Sequence, residues 1–158
     1  MLYVDSSALI KRYLQESGSK QINARIEQNT KLVLPVITSV LTYAEIHTAL
    51  ARKLKDRTLP VIEHHRAASR FESEWKTYLG RIELKPGVLA IVANLVKKHP
   101  LKTADAIHLA SAISINRQLH AGKEKGSSLE FIFATSGQQL SRAAEKESFQ
   151  VFNPEKTA

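Results

Sequence analysis

The sequence has 158 residues, of which 43% are hydrophobic and 24% are charged, and this composition predicts one folded domain spanning residues 1–158. It contains no cysteine, which excludes disulfides and thiolate metal sites, and no apolar stretch is long enough to cross a bilayer. The net charge of +8 favours an anionic partner such as nucleic acid or an acidic protein, although a basic protein without such a partner is the simpler alternative.

The N-terminal segment MLYVDSSALIKRY has no basic region ahead of its apolar residues and no small-residue cleavage site. It is therefore not expected to act as a signal peptide. Together with the absence of cysteine, this leads us to expect a cytoplasmic location and no association with a membrane.

The first half of the chain predicts strands that alternate with helices. Residues 1–4 form a short apolar run, and Ser6 or Ser7 is expected to cap the helix that follows. Pro35 lies within the second predicted strand and indicates either an edge strand or an early strand end. In chain order, the predicted elements are strand 1–4, helices 8–15 and 20–28, strand 32–37, a helix capped by Thr38 or Ser39 and ending near 55, and helix 60–79 stopped by Gly80.

The second half continues the alternation. Pro86 suits the first turn of a helix, and Thr103 is expected to cap the next one. The polar segment 121–128 (AGKEKGSS) predicts a surface loop. The predicted elements are strand 82–84, helices 86–98 and 103–119, strand 131–134, helix 138–147 and strand 150–152. This order predicts an α/β domain with a central, mostly parallel sheet of about five strands, in which ligands bind at the carboxyl ends of the strands.

Three acidic residues lie at the ends of elements, or among apolar neighbours, where burial is expected. Asp5 ends the first apolar run, Glu45 lies within TSVLTYAEIHTAL, and Asp105 opens the apolar helix KTADAIHLASAI. A buried carboxylate is costly unless a cation or hydrogen bonds stabilise it. Brought together by the fold, the three would make an oxygen-ligand site for Mg²⁺ or Mn²⁺.

Each acid also has a purely structural interpretation. Asp5 would cap the helix after the first strand, and Asp105 would complement the dipole of its own helix. Glu45 would lie on an exposed helix flank. His108, one turn from Asp105, would either hydrogen-bond behind the metal ligands or simply be a buried side chain.

Five segments taken together resemble PIN-domain ribonucleases, and most closely the VapC toxins of toxin–antitoxin pairs. They are YVDSSALIKRYL, SVLTYAEIHTAL, KTADAIHLASA, FIFATSGQQL and FQVFNP, and they occur in the order found in that family across nearly the whole chain. The resemblance implies a three-layer α/β/α fold and a metal-dependent endoribonuclease that uses Mg²⁺ or Mn²⁺. It also implies a homodimer, RNA as substrate, products with a 5′-phosphate and a 3′-hydroxyl, and inhibition by a cognate antitoxin whose C-terminal segment enters the cleft.

The resemblance assigns Asp5, Glu45 and Asp105 as the catalytic and metal-binding acids. Ser7 matches a small polar residue two positions after the first acid, and Thr135 matches a hydroxyl residue near the family's fourth acid. Gly137 stands where that fourth acid is expected, with Ser136 beside it, so this chain keeps three of the four acids.

Basic residues near the three acids are candidates for contact with RNA phosphates. They are Lys102, which precedes the Asp105 helix, and Lys11 and Arg12, which follow Asp5, although each is also an ordinary surface residue.

The missing acid leaves a second function open, namely a catalytically weakened module that binds RNA or an antitoxin without cutting. Other chemistries lack their motifs. GxxxxGK[ST], GxGxxG and GxSxG are all absent, which argues against a P-loop nucleotidase, a dinucleotide-binding enzyme and a serine hydrolase with a nucleophile elbow.

Overall fold

The computed structural model describes residues 1–121 and 130–156. The predicted loop 121–128 therefore lies outside the described residues, apart from Ala121. In chain order, the elements are β1 (Leu2–Val4), α1 (Ser6–Leu9) with a 3₁₀ turn (Ile10–Arg12), α2 (Ser19–Lys31), β2 (Val36–Ser39), α3 (Leu41–Lys55), α4 (Val61–Thr77), β3 (Gly80–Ile82), α5 (Pro86–Lys98), α6 (Thr103–His120), β4 (Ile132–Ala134), α7 (Gln138–Lys146) and β5 (Gln150–Phe152).

The five strands form one sheet in the order β3-β2-β1-β4-β5, and every neighbouring pair is parallel. The first strand lies at the centre, where Tyr3 pairs with Ile37 of β2 and with Phe133 of β4. The chain thus builds the sheet outward from β1 in one direction and then in the other. This reversal opens a crevice at the carboxyl ends of β1 and β4, which is where parallel sheets bind ligands.

Two hydrophobic clusters cover the two faces of the sheet. Because successive side chains of a strand point to opposite faces, Leu2 and Val4 enter one cluster and Tyr3 enters the other. The first cluster also holds Phe71 and Trp75, which lie four residues apart on one face of α4. The three-layer α/β/α arrangement with a five-stranded parallel sheet confirms the predicted fold class.

The second strand is displaced from its predicted position. The apolar run from Leu32 was expected to be extended, but Val33 adopts a positive φ of 54° in the turn that leaves α2. The strand begins only at Val36, after Pro35, and it lies between β1 and β3. The edge-strand alternative is therefore wrong, and the proline is tolerated because it precedes the strand.

Gly80 belongs to β3 and does not merely end the preceding helix. A Cβ atom at this position would lie 2.7 Å from Cγ2 of Ile37, its partner on β2, so only glycine fits without a shift. The third strand therefore covers Gly80–Ile82, two residues earlier than predicted.

Three of the expected helix caps are also different. The helix expected to be capped by Thr38 or Ser39 has Val40 at its N-cap and no side-chain cap. Asp5, not Ser6 or Ser7, is the N-cap of α1, since its side chain accepts the N–H of Ala8. The helix starting at Thr103 has Lys102 at its N-cap and no side-chain cap.

Within the described residues, no helix is sufficiently long and apolar to span a membrane.

Candidate active site

The carboxyl ends of β1 and β4 bring Asp5 and Thr135 together across 130 residues of sequence. The Thr135 hydroxyl donates to Oδ2 of Asp5 at 2.7 Å, and the Ser7 hydroxyl lies 2.8 Å from both carboxylate oxygens. The backbone N–H of Ala8 donates to Oδ1 at 2.8 Å. The structure therefore places Ser7 and Thr135 in direct contact with the first acid.

Burial makes the Asp5 carboxylate energetically unusual. The residue is only 3% exposed, and no Lys or Arg of the described residues forms an ion pair with it. Burial raises the pKa of the Asp5 carboxyl, and the charge of His108 and the three hydrogen bonds only partly oppose this. The helix cap is thus real, but it does not supply the counter-charge that a buried carboxylate needs.

Glu45 is held by the imidazole of His108, the residue for which the sequence leaves two roles open. Nε2 of His108 lies 2.7 Å from Oε2 of Glu45, and Nδ1 lies 3.0 Å from the Tyr3 hydroxyl. An ionised carboxylate only accepts hydrogen bonds, so Nε2 carries the proton in this contact. Burial raises the pKa of Tyr3 well above its usual value, so the Tyr3 hydroxyl keeps its proton beside Nδ1 of His108.

His108 is a buried side chain and also hydrogen-bonds to Glu45, while its role behind a metal site stays a prediction. The ring is 1% exposed, as a core side chain would be, and it also fixes the rotamer of a candidate ligand. Carboxylates that bind metals are commonly held by hydrogen bonds from residues behind them. The side chain of Glu45 remains 26% exposed, so the carboxylate is not fully enclosed.

Asp105 lies in the first turn of α6 and is partly buried. Burial raises the pKa of its carboxyl, the charges of His108 and Lys102 lower it, and the charge of Glu45 raises it again. The charges of Glu45 and His108 therefore act on the Asp105 carboxyl across the site. Lys102 is exposed at the N-cap of the same helix and is the nearest lysine that influences this acid.

The three acids do not form a closed cage. In residues 1–121 and 130–156, no group of three or more His, Cys, Asp or Glu side chains is arranged to hold a metal ion by itself. The donors nevertheless suit a hard divalent cation, because all three are carboxylates and none is paired with Lys or Arg in that part of the chain. Mg²⁺ typically keeps several waters and needs only one or two protein carboxylates, which fits an open arrangement.

Gly137, the position of the expected fourth acid, is the N-cap of α7. Its backbone N–H donates to Oγ1 of Thr135 at 3.0 Å, which places it beside the hydroxyl that holds Asp5. The site therefore lacks a carboxylate at this point of the rim.

Lys11 and Arg12 do not face the site as free cations. The Lys11 ammonium is buried and pairs with Glu155 at 2.6 Å and with Glu16 at 3.6 Å. The Arg12 guanidinium pairs with Glu74 at 2.6 Å. Both side chains are thus neutralised within the fold, which corrects the expectation that they contact RNA phosphates.

Comparisons with known proteins agree with this architecture. The family model of the PIN domain matches residues 2–146. Ribonuclease VapC45 and Ribonuclease VapC49, both from Mycobacterium tuberculosis, are each 30% identical over 132 residues, which cover 77% of this chain and 88% of the relative.

Solved structures share the fold at low sequence identity. FitAcB from Neisseria gonorrhoeae superposes with a TM-score of 0.64 at 17% identity, covering 99% of this chain and 100% of that one. VapBC2 from Rickettsia felis, bound to a DNA fragment from its promoter, gives a TM-score of 0.62 at 14% identity, covering 97% and 98%. Family model, relatives and fold coincide, and the chain therefore belongs to the PIN-domain family, with VapC ribonucleases among its relatives.

Proposed function

We propose that this protein is a metal-dependent endoribonuclease and the toxin of a toxin–antitoxin pair. The observation that carries the proposal is the buried Asp5 carboxylate at the β1–β4 crevice, which has hydrogen-bond donors but no Lys or Arg partner among the described residues. The family membership and the relatives named as ribonucleases supply the class of reaction.

Asp5, Glu45 and Asp105 would hold Mg²⁺ or Mn²⁺, directly or through water. When bound, such a cation lowers the pKa of a coordinated water and neutralises charge at a phosphate during in-line displacement. The donors around Asp5 hold both of its oxygens, since Ser7 contacts Oδ1 and Oδ2 and Thr135 donates to Oδ2. The chain therefore presents a preorganised ligand that needs little rearrangement on binding.

Glu45 is suited to orient the attacking water. His108 holds Oε2 of Glu45, and the side chain is partly exposed, so the other oxygen is available to accept a hydrogen bond from water. Tyr3 fixes the ring that fixes the carboxylate, so the orientation is set by three buried or partly buried side chains. No residue needs to act as a covalent nucleophile in this scheme.

The expected partners are single-stranded or structured RNA and a cognate antitoxin, and the expected assembly is a homodimer. The positive net charge supports an anionic substrate. Solved relatives of this fold include a toxin–antitoxin complex from Klebsiella pneumoniae, with a TM-score of 0.58 at 16% identity, which motivates the search for an antitoxin encoded with this protein.

One observation favours the alternative of a weakened binding module. Gly137 provides no carboxylate beside Thr135, and the described acids form no closed metal cage. Such a module would bind RNA without metal-dependent cleavage.

A single comparison separates the two functions. Purified protein is incubated with RNA in Mg²⁺, in Mn²⁺ and in chelator, alongside Asp5→Asn and the matched control Asp56→Asn, whose carboxylate is exposed at the C-terminal end of α3. We expect cleavage only with metal, loss of cleavage in Asp5→Asn, and unchanged cleavage in Asp56→Asn. RNA binding without cleavage by the unaltered protein in either metal would instead support the binding module.

A further inference from the structure

A groove with a volume of about 330 Å³ runs beside the candidate active site, between α1 and α3. Ser7, which contacts Asp5, and Glu45 both line it, so the groove is continuous with the site. Arg52 also lines the groove and belongs to the last turns of α3.

Arg52, like the exposed Lys102, differs from the other basic residues close to the site. Lys11, Arg12 and Lys53 are all paired with carboxylates at 2.6 to 2.7 Å. The side chain of Arg52 is exposed and forms no ion pair within the described part of the chain. Its positive charge therefore remains available to a ligand in the groove.

The spacing along α3 places Arg52 at a useful distance from the acids. Glu45 and Arg52 are seven residues apart, which is two helical turns on one face and about 10 Å along the axis. Thr48 and Ala49 lie between them and also line the groove. Their small side chains allow an extended chain to lie close to the helix from the acids to the guanidinium.

The residues that line the groove also indicate which part of a nucleic acid it would bind. No aromatic side chain of the described residues lines this groove, so it offers no stacking platform for bases. The guanidinium fork of arginine matches the geometry of a phosphate and binds it with two parallel hydrogen bonds. The groove therefore suits the sugar–phosphate backbone more than the base edges.

We propose that Arg52 is a positioning residue that binds a backbone phosphate of the RNA strand, one or a few nucleotides from the scissile bond. The proposal rests on the ribonuclease function proposed above. It predicts that Arg52 contributes affinity without sequence preference, because a phosphate contact carries no base information.

The test measures binding and cleavage separately. Binding of a fluorescent single-stranded RNA is measured in chelator at several salt concentrations, and cleavage is measured in Mg²⁺ or Mn²⁺. Arg52→Gln should weaken binding roughly tenfold and should lower the slope of log Kobs against log salt by about 0.7, the value for one phosphate contact on a single strand. In cleavage, KM should rise by a similar factor while kcat changes little.

Two further variants control the interpretation. Arg117→Gln removes the same charge from an exposed position near the C-terminal end of α6, about 18 Å along that helix from Asp105, and should leave the salt slope unchanged. Arg52→Lys keeps the charge but loses the fork, so it should restore the slope and only part of the affinity. Thermal melting of each variant checks that the fold is intact.

Distinct results overturn the distinct claims. If the unaltered protein cleaves RNA and Arg52→Gln has the same salt slope and KM, the role of Arg52 is wrong and the ribonuclease function stands. If Arg52→Gln leaves RNA binding intact but no longer co-purifies with its co-expressed antitoxin, the groove binds protein and the RNA assignment is wrong. If the unaltered protein neither binds nor cleaves RNA, both proposals fail.

Discussion

Two clusters of this protein each hold a carboxylate away from solvent, and they stabilise it in opposite ways. In the first, Glu74 accepts two hydrogen bonds from Arg12, at 2.6 and 2.9 Å, one from Tyr13 at 3.0 Å and one from Arg70 at 3.2 Å. In the second, Asp5 accepts hydrogen bonds only from neutral donors. The number of hydrogen bonds is similar, but the charge that faces the carboxylate is not.

The pKa values follow the charge. Burial alone would raise the pKa of the Glu74 carboxyl, but the hydrogen bonds and charge of Arg12 outweigh burial and lower it. Burial raises the pKa of the Asp5 carboxyl, and nothing around it reverses the direction. The Glu74 cluster thus has its own counter-charge, whereas Asp5 has no Lys or Arg partner among the described residues, and this is why we propose that a cation binds there.

The sharpest test of this contrast is activity after loss of a charge in the second cluster. Glu45→Gln keeps the shape of the side chain and can still contact His108, but it removes the charge that a hard cation prefers. We expect RNA cleavage to fall roughly a hundredfold or more, with little change in the melting temperature. Glu145→Gln, which alters an exposed glutamate on α7, is the matched control and should cleave normally. A Glu45→Gln protein that cleaves RNA and binds metal as before would remove Glu45 from the site.

A substitution in the Glu74 cluster should change the free energy of unfolding and leave the rate of RNA cleavage unchanged. Glu74→Gln leaves the Arg12 guanidinium partly buried without its counter-ion, which costs about 3 kcal/mol of unfolding free energy at neutral pH. Cleavage per folded molecule should be unaffected, since Glu74 does not contact any of the three acids of the site. Chemical denaturation combined with a cleavage assay on the folded fraction measures both.

The pH dependence of that loss has a definite sign. The folded pKa of Glu74 lies below its unfolded value of about 4.3, so its contribution to stability is complete above that value and is lost as the pH falls through the folded pKa. The stability difference between the unaltered protein and Glu74→Gln should therefore shrink as the pH is lowered from 6 to 3. A difference that stays constant over this range would show that the ion pair is not the source.

Divalent metal should stabilise the second cluster by mass action. A cation that binds only the folded state adds about 2.7 kcal/mol when its concentration is one hundred times Kd. We expect Mn²⁺ or Mg²⁺ to raise the melting temperature of the unaltered protein and of Glu74→Gln, but not that of Asp5→Asn. Calorimetric titration gives the binding heat directly. No heat and no shift in melting temperature would mean that the three acids do not form a metal site.

The sequence was a good guide to the elements whose signals are local. β1 and β4 each correspond to a short apolar run, and α5 begins at Pro86 and ends before His99-Pro100 as its end signals indicate. The boundary of β2 was misplaced because the apolar run continues backward into a turn, and hydrophobicity does not distinguish Val33 at a positive φ from a strand residue. The role of Gly80 depends on Ile37, a neighbour created only when the strands pair.

The contacts of the candidate site also divide into those that local sequence signals predict and those that only the fold creates. The three acids are candidates because each stands out against its local neighbours, and the resemblance to a family assigns them to one site. Tyr3 is 105 positions from His108, and His108 is 63 positions from Glu45. No local sequence pattern therefore predicts this hydrogen-bonded chain. Lys11 and Arg12 look like free cations in the sequence, and only the fold reveals the carboxylates that neutralise them.

The smallest expected effect concerns Gly137, which stands beside the Asp5 cluster at the position of the expected fourth acid. Its φ of −75° is accessible to any residue, and a Cβ atom would lie 3.5 Å from Oγ1 of Thr135 and 3.6 Å from Cβ of Leu140, which are ordinary contacts. Gly137→Asp should therefore fold without strain and place a carboxylate at the N-cap of α7, where aspartate is also a favourable cap.

If the missing acid limits the site, this added carboxylate should tighten metal binding by up to about tenfold, or 1.4 kcal/mol, and raise cleavage. Gly137→Asn is the matched control, because asparagine caps the helix equally well but adds no charge. Comparing the two by calorimetry and by cleavage rate separates charge from capping. Equal metal affinity and equal cleavage in the two variants would mean that position 137 is not a vacant ligand position, and that Asp5, Glu45 and Asp105 are the whole set of acids that this member of the family uses.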